Sequence, residues 1–497
     1  MAGLKKKEPK ERGVEALLSL VGDEELWSDR DGRVYATVHG GRMGRTHLEV
    51  GTQEFADWVM SQAFSEWERV VRSRTVREYA EHLQARARTS GEVRRSHVRL
   101  AEYEGCLYLD LADEDSRAVQ ISPHGYEVID LPPVQFLRPS GQRPLPEPRD
   151  SDAGLFELLE ELFRLPDEDS YILLAGWLVD LLRPDGPHHV LLLQGPEGSA
   201  KTTTAQLLLN LVDPNGAGPE AFPRTEEDLI IMARDRIAVA LDNLGNVTDR
   251  QSDRICRIVT GAAITKRRLY TDAGATVISA IASVILTGIG DILTAPDLLD
   301  RTLVLQLDRV PGAERQTLAS INDRFREVWP EILGHLLRGA AEAMGNARDL
   351  QVESLPRMAD SAQWVAAAMP AFGVSPENYF RAYRAMSARR IDSAIETCPV
   401  AHALLARLAS KPRLEGMATE LLEDLRKHSS VALRTDGEWP TSANHFSGTL
   451  NRLRPILREE YGVSVQRCKT SDRASRKIIR IQRDAEAAWV EDWLVKR

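Results

Sequence analysis

The octapeptide GPEGSAKT at 195–202 follows the apolar run HVLLLQG and precedes the helical stretch TTAQLLLNL. Glycines, a lysine and a hydroxyl at this spacing can hold a polyphosphate. Backbone N–H groups curl around the β-phosphate, a helix N-terminus stands behind them, and the lysine reaches the β and γ oxygens. Gly195, Lys201 and Thr202 match the pattern GxxxxGK[ST], with Ala200 in place of the second glycine. Alanine is tolerable there if the position is already helical, because only a positive φ needs glycine. Pro196, Glu197, Gly198, Ser199 and Thr203 complete the candidate cradle. The expected ligands are ATP and Mg²⁺, the metal being held through the Thr202 hydroxyl.

A second piece of the same chemistry lies further on. IAVALDNL ends a short buried strand in Asp242. A carboxylate at a strand end can hold the Mg²⁺ shell through water. Asn243 stands where a second acid would polarise the attacking water. Asparagine orients water but cannot take its proton. Hydrolysis is then slow, or it draws on another acid such as Asp253.

These residues need a scaffold. HVLLLQG (189–195), IAVALDN (237–243), ASVILTG (282–288) and TLVLQL (302–307) are short apolar runs separated by helical stretches. That pattern predicts an α/β fold, a parallel sheet with helices on both faces. LFELLEELF (155–163), YILLAGWLVDLLR (171–183) and most of 314–395 read as helical. Upstream, RVYATV (33–38), CLYLDLA (106–112), AVQIS (118–122) and YEVID (126–130) read as strands and 54–88 as helical, giving an N-terminal α+β domain over 1–130. The proline-rich 131–150 is the linker candidate. The ATPase core spans 151–340, a helical extension 341–398, and a basic last domain 399–497. A chain of 497 residues accommodates such a division.

Composition narrows the classes. The cysteines 106, 256, 398 and 468 lie far apart with no Cys/His cluster, which disfavours a zinc finger or disulfide framework and fits a reducing, cytoplasmic setting. MAGLKKKEPKERG lacks an apolar h-region, and no apolar run approaches a membrane span. The net charge is 64 − 74 = −10, which speaks against a uniformly cationic surface. The charge is segregated, however. Eight arginines between 72 and 99, mixed with Glu78, Glu81 and Glu92, read as a solvated helix face. DLADED (110–115) reads as an acidic turn after a strand. In the last domain, a helix over 442–462 carries Arg452, Arg454 and Arg458. VSVQR and RKIIRIQ follow as a two-stranded wing with Arg467, Lys469, Arg473, Arg476, Lys477, Arg480 and Arg483. Helix plus basic wing reads as a winged-helix module, the helix near the major groove and the wing on phosphates. A protein-interaction module is the other reading.

The ordered set GPEGSAKT, IAVALDNL, TKRRLYTD, VILTGIGD and PDLLDRTLVLQL resembles the ATPase core of superfamily 3 helicases. It is especially like the phage and plasmid replication ATPases related to poxvirus primase-helicases, of the AAA+ class. The likeness covers about 150–340. It implies that Lys201 and Thr202 bind nucleotide and Mg²⁺, that Asp242 is the Walker B acid, and that Thr287 takes the sensor position often held by asparagine. It implies that Arg301 is an arginine finger for the neighbouring subunit's γ-phosphate, against a surface ion pair with Asp297 or Asp300 as the other reading. The stretch 265–272 would lead into a pore hairpin, with Lys266, Arg267 and Arg268 on single-stranded DNA phosphates and Tyr270 stacked on a base, against a solvated basic turn with Tyr270 in the core as the other reading. The function implied is an ATP-driven DNA helicase or translocase, a homo-oligomer of six subunits, working beside a separate primase or other replication proteins. Asn243 leaves a second reading, a nucleotide-switched DNA-binding or assembly factor that unwinds nothing. A small-molecule kinase is a third, and would need neither Arg301 nor a basic wing.

Overall fold

The computed structural model describes residues 13–22, 25–39, 44–90, 92–267, 275–293, 295–352, 354–396, 398–430, 439–459, 461–469 and 477–484. The chain divides into two compact units. One comprises 1–245, 253–290 and 301–380, the other 246–252, 291–300 and 381–497. No helix among the described residues is long and apolar enough to cross a membrane.

The first unit opens with a small sheet ordered β3-β2-β1-β4, from β1 (Leu26–Ser28), β2 (Val34–His39), β3 (Arg45–Glu49) and β4 (Glu92–Val93). Two helices cover it, α1 (Gln53–Trp67) and α2 (Ser73–Ser90). The stretch 54–88, expected to be helical, forms two helices, because Glu68 takes a left-handed conformation at φ 55° and caps α1. On α2 the buried positions Val76, Tyr79, Ala80, Leu83 and Ala87 recur at helical spacing and meet Phe55 and Val59 of α1.

An antiparallel meander follows: β6 (Leu100–Tyr103), β7 (Cys106–Asp110), β8 (Ala118–Ser122) and β9 (Gly125–Ile129). Beside it β5 (Ser96–His97) pairs in parallel with β10 (Gln135–Phe136). The proline-rich stretch 131–150 runs tightly along the rest of this unit. Arg138 forks onto the buried Asp110 carboxylate at 2.6 and 3.0 Å, Leu145 is buried, and the Arg143 and Arg149 N–H groups donate to the carbonyls of Pro214 and Pro330 at 2.9 Å. The arginine-rich segment also differs from a purely solvated face. Arg99 is wholly buried, its Nε 3.0 Å from Asp213, with further bonds to the carbonyls of Asp110 and Arg143. Every polar hydrogen of that guanidinium needs a partner once water is excluded, and the carbonyl crowd supplies them.

The central sheet is parallel, ordered β12-β15-β11-β16, from β11 (Val190–Gln194), β12 (Ala238–Leu244), β15 (Ser283–Gly288) and β16 (Thr302–Gln306). All four predicted apolar strands are present. Their side chains are buried on both faces, which is why they read as continuous apolar runs rather than alternating ones. Each fully buried Leu, Val or Ile contributes about 1.5–3 kcal/mol. Around the sheet lie α3 (Leu155–Leu162), α4 (Glu168–Asp180), α5 (Lys201–Val212), α6 (Glu226–Arg234), the C-terminal part of α7 (Asp249–Thr260), α9 (Leu318–Asn346) and α10 (Ala359–Ala368). Between α7 and β15 stands an antiparallel hairpin, β13 (Ala262–Arg267) with β14 (Ala275–Ala280).

The second unit includes the short α8 (Pro296–Leu299) and the end of α11 (Pro376–Glu396). Its body runs α12 (Pro399–Ser410), β17 (Arg413–Gly416), α13 (Ala418–His428), α14 (Ala443–Glu459), β18 (Val463–Lys469) and β19 (Lys477–Arg483). The predicted pair of strands is part of an antiparallel sheet of three, ordered β17-β19-β18. Phe446, Leu450, Leu453 and Leu457 line one face of α14 and pack with Val463, Val465, Ile479 and Ile481. The exposed side of α14 therefore carries its polar residues.

Candidate nucleotide site

Strand β11 ends at Gln194, the loop Gly195–Ala200 turns, and α5 begins at Lys201. The close turn dictates the glycines. A Cβ on Gly195 would sit 2.2 Å from the Leu307 carbonyl oxygen, and Gly198 has φ +80°. Ala200 departs from the sequence expectation. It is not helical but left-handed, at φ 61° and ψ 25°, and it gives α5 no side-chain cap. The glycine-to-alanine exchange is therefore a strained one, costing about 1–2 kcal/mol. Strain of this size persists where surrounding structure imposes it, and such places cluster at functional sites.

Lys201 curls over the loop. Its Nζ donates to the carbonyls of Gly195 and Pro196, both at 2.8 Å, and lies 3.4 Å from the Ser199 hydroxyl. Partial burial lowers its pKa, opposed by the charges of Asp242 and Glu197. These are neutral oxygens in the main, and a phosphate offers the ammonium a stronger, charge-assisted partner.

The end of β12 supplies the acid. The Thr202 hydroxyl lies 3.1 and 3.0 Å from the two carboxylate oxygens of Asp242. The buried Thr287 hydroxyl, at the end of β15, donates to Asp242 at 2.5 Å and accepts the Asn243 N–H at 2.9 Å. Asn243 sits at φ +58° in a register shift of β12, with its side chain exposed. Asp242, Asn243, Thr202 and Thr287 are thus brought together by two adjacent strand ends and the first turn of α5. An oxygen-only set of one hydroxyl and one carboxylate fits Mg²⁺, which keeps waters and phosphate oxygens as its other ligands. No group of three or more His, Cys, Asp or Glu among the described residues forms a metal cluster of its own.

Beside the loop opens a cavity of about 620 Å³, walled by Ser199, Ala200, Thr203, Thr204 and Leu207 on one side and by Phe163, Tyr171, Leu307, Leu318 and Ile321 on others. That volume suits a nucleoside. Tyr171 closes the wall by donating its hydroxyl to the Phe163 carbonyl at 2.8 Å. The segment after β16 passes over this mouth, its Val310 N–H donating to the Gly198 carbonyl at 3.2 Å. It carries Arg309 and Arg315, which sequence reasoning missed. An irregular loop has no periodicity to flag them, and the one available signal was their place directly after the last core strand.

Arg301 lies elsewhere. Its carbonyl accepts the Val190 N–H at 2.9 Å, and β16 then runs beside β11 from Val190↔Thr302 to Gln194↔Gln306. Five strand residues separate it from its own phosphate loop, roughly 16 Å along the sheet.

Of the basic residues, Lys266 and Arg267 end β13, in register with Thr276 and Ala275. Arg268, Tyr270, Arg473 and Arg476 lie outside the described residues. In the second unit Arg452, Arg454 and Arg458 belong to α14, with Arg454 and Arg458 exposed; Arg467, Lys469 and Lys477 are exposed on β18 and β19. Arg480 instead pairs with Glu415 at 3.0 Å, and together with Arg413 it pulls that carboxyl down to about 2.

Residues 157–392 match the family model of the actinomycete integrative conjugative element replication protein, and residues 400–491 match that of the AICE RepA C-terminal domain. No curated protein matches the chain. Among solved structures, the A form apo structure of the NrS-1 C terminal region is 13% identical, covering 96% of this chain and 100% of that one, with a TM-score of 0.40. A second apo structure of the same region is 12% identical, covering 92% and 96%, with a TM-score of 0.38. The two family matches support a role in DNA replication.

Proposed function

We propose that this chain, matched over most of its C-terminal two-thirds by replication-protein families, is an ATP-dependent DNA helicase or translocase of the superfamily 3 type, within the AAA+ class. The observation that carries the reading is the Thr202–Asp242–Thr287 arrangement beneath a lysine-bearing loop. ATP would lie with its phosphates under the loop and its base in the adjoining cavity. Mg²⁺, when bound, supplies positive charge against the β and γ oxygens. Thr202 and Asp242 would hold that ion, Thr287 fixes the carboxylate, and Lys201 would neutralise the phosphates.

Arg301 is too far along the sheet to serve its own site, which fits a finger reaching a neighbouring subunit in a ring, a hexamer in this reading. The β13–β14 hairpin, with Lys266 and Arg267 on its rising strand, is the proposed contact for single-stranded DNA. The helix–strand–helix–helix–strand–strand order of the second unit supports a winged helix that meets duplex phosphates. The sequence-drawn boundaries at 130, 150, 340 and 398 are retained as the proposed domain limits, and a separate primase as a proposed partner.

One observation favours a second reading. Asn243 is exposed, its N–H committed to Thr287, and it offers no group that takes a proton. A chain that binds ATP and hydrolyses it slowly would act as a switch for DNA binding or assembly. A tailed-duplex unwinding assay with ATP and with a non-hydrolysable analogue separates the two. Strand separation that needs ATP and is lost in Lys201→Ala supports the helicase. ATP-promoted DNA binding without separation supports the switch.

A further inference from the structure

Between the end of β16 and the start of α9 the chain crosses the mouth of the cavity beside the phosphate loop. Two contacts hold it there: the Val310 N–H on the Gly198 carbonyl at 3.2 Å and the Arg164–Glu314 ion pair. Arg315 Nη2 and Arg309 Nε approach within 3.7 and 4.0 Å of the point where a Cβ of Gly198 would stand. Both side chains are exposed, and neither has an acidic partner among the described residues. The nearby acid Glu314 is taken by Arg164. The same cavity is lined by Glu161, which pairs with Arg324, and by Glu160 and Asp308, neither of which forms an ion pair with Arg309 or Arg315. The two guanidinium groups still converge on one point, where they repel each other and an anion between them reverses the sign of that interaction. Guanidinium is also the group best shaped to grip phosphate oxygens in pairs.

The two ends of the proposed nucleotide fix which phosphates these are. The base cavity is walled by Gly198, Ser199, Ala200, Thr203 and Thr204, whereas Thr202 faces Asp242 outside that wall. With the base in the cavity and the terminal phosphate toward Thr202 and Asp242, the α- and β-phosphates pass beneath Gly198. We infer that Arg309 and Arg315 form a clasp, acting within one subunit, on the α- and β-phosphates of the bound nucleotide. The clasp differs from Arg301, which would act on the γ-phosphate of a neighbour. The inference rests on the nucleotide reading, and it extends that reading to the diphosphate shared by ATP and ADP.

The test is equilibrium binding of fluorescent ADP and ATP analogues to the full chain, comparing wild type, Arg309→Ala/Arg315→Ala and Lys201→Ala, with thermal melting to verify the fold. The double variant should lose about tenfold or more in affinity for both nucleotides, with their ratio unchanged. A double variant that binds both within about twofold of wild type, while Lys201→Ala binds neither, overturns the clasp and leaves the nucleotide reading standing. A loss confined to ATP overturns the assignment to the α- and β-phosphates. If the wild-type chain binds neither nucleotide, the nucleotide reading fails and the clasp with it.

Discussion

Replacing Ala200 by glycine should stabilise the protein, although the same change inside a helix does the reverse. The backbone at Ala200 is left-handed, φ 61° and ψ 25°, and its methyl group is exposed. Removing the Cβ relieves about 1–2 kcal/mol of clash with the following carbonyl. Glycine also gives the unfolded chain more freedom, which costs about 0.4–1 kcal/mol. Almost no burial is lost, so the net is a gain of about 0.5–1 kcal/mol. Ala205, in the middle of the same helix and fully buried, is the control. There the identical change has no strain to relieve and loses about 1 kcal/mol of helix propensity, plus buried surface. The two variants should therefore move in opposite directions, separated by about 1.5–2 kcal/mol. Urea unfolding of the full chain, followed by tryptophan fluorescence, measures this as shifts of the midpoint at constant slope. An Ala200→Gly midpoint that falls as far as that of Ala205→Gly would refute the strained-loop account.

Other expectations follow from the same geometry. Asp213→Asn leaves the buried Arg99 charge unmatched and should cost about 3–5 kcal/mol, read as a fall in the urea midpoint; a loss under about 1 kcal/mol would mean the pair is dispensable. Burial lowers the pKa of His47 to about 3 and of His97 and His189 to about 4, from 6.5. The unfolded chain then binds protons below pH 6.5 that the folded chain refuses, so stability is full above 6.5 and drains as the pH falls towards 4; His189→Gln should flatten that slope, and an unchanged slope would exclude His189 as a contributor. Neutralising Lys469, Lys477 and Arg454 should weaken DNA binding and reduce the salt slope by about one unit each, measured by fluorescence anisotropy across a salt series. Arg480→Ala should change that slope less, because its guanidinium is engaged with Glu415.

Local signals carried much of this architecture. The four apolar runs became the four parallel strands, and the acid at the end of IAVALDN met the hydroxyl of the loop, because strand ends in a parallel sheet gather on one edge. Strands β18 and β19 and the helix before them were equally visible from alternation and spacing. What escaped depended on distant parts of the chain. The backbone of Ala200 is set by loop closure rather than by its own side chain. Arg99 looked like one more arginine of a solvated helix, yet its partner Asp213 is 114 residues away. The proline-rich stretch looked like a linker because proline blocks regular structure, but irregular backbone can still be packed when its N–H groups find carbonyls, as Arg143 and Arg149 do.

The same dependence on partners explains why net charge misleads in this chain. An excess of ten acids over bases argues against polyanion binding only if the charges are equally available. They are not. Asp110, Asp213 and Asp180 are buried against Arg138, Arg99 and Arg183, and Glu415 is shared by two arginines. Each such pair is nearly neutral at a distance. Arg309 and Arg315 at the phosphate loop, and Lys469, Lys477 and Arg454 in the second unit, have no acidic partner among the described residues. An approaching phosphate responds to these local fields within a Debye length, about 8 Å at physiological salt, and hardly at all to the sum over the chain. The sites proposed for nucleotide and for DNA are places where arginine and lysine lack an acid among the described residues, and a count of charged residues cannot see that.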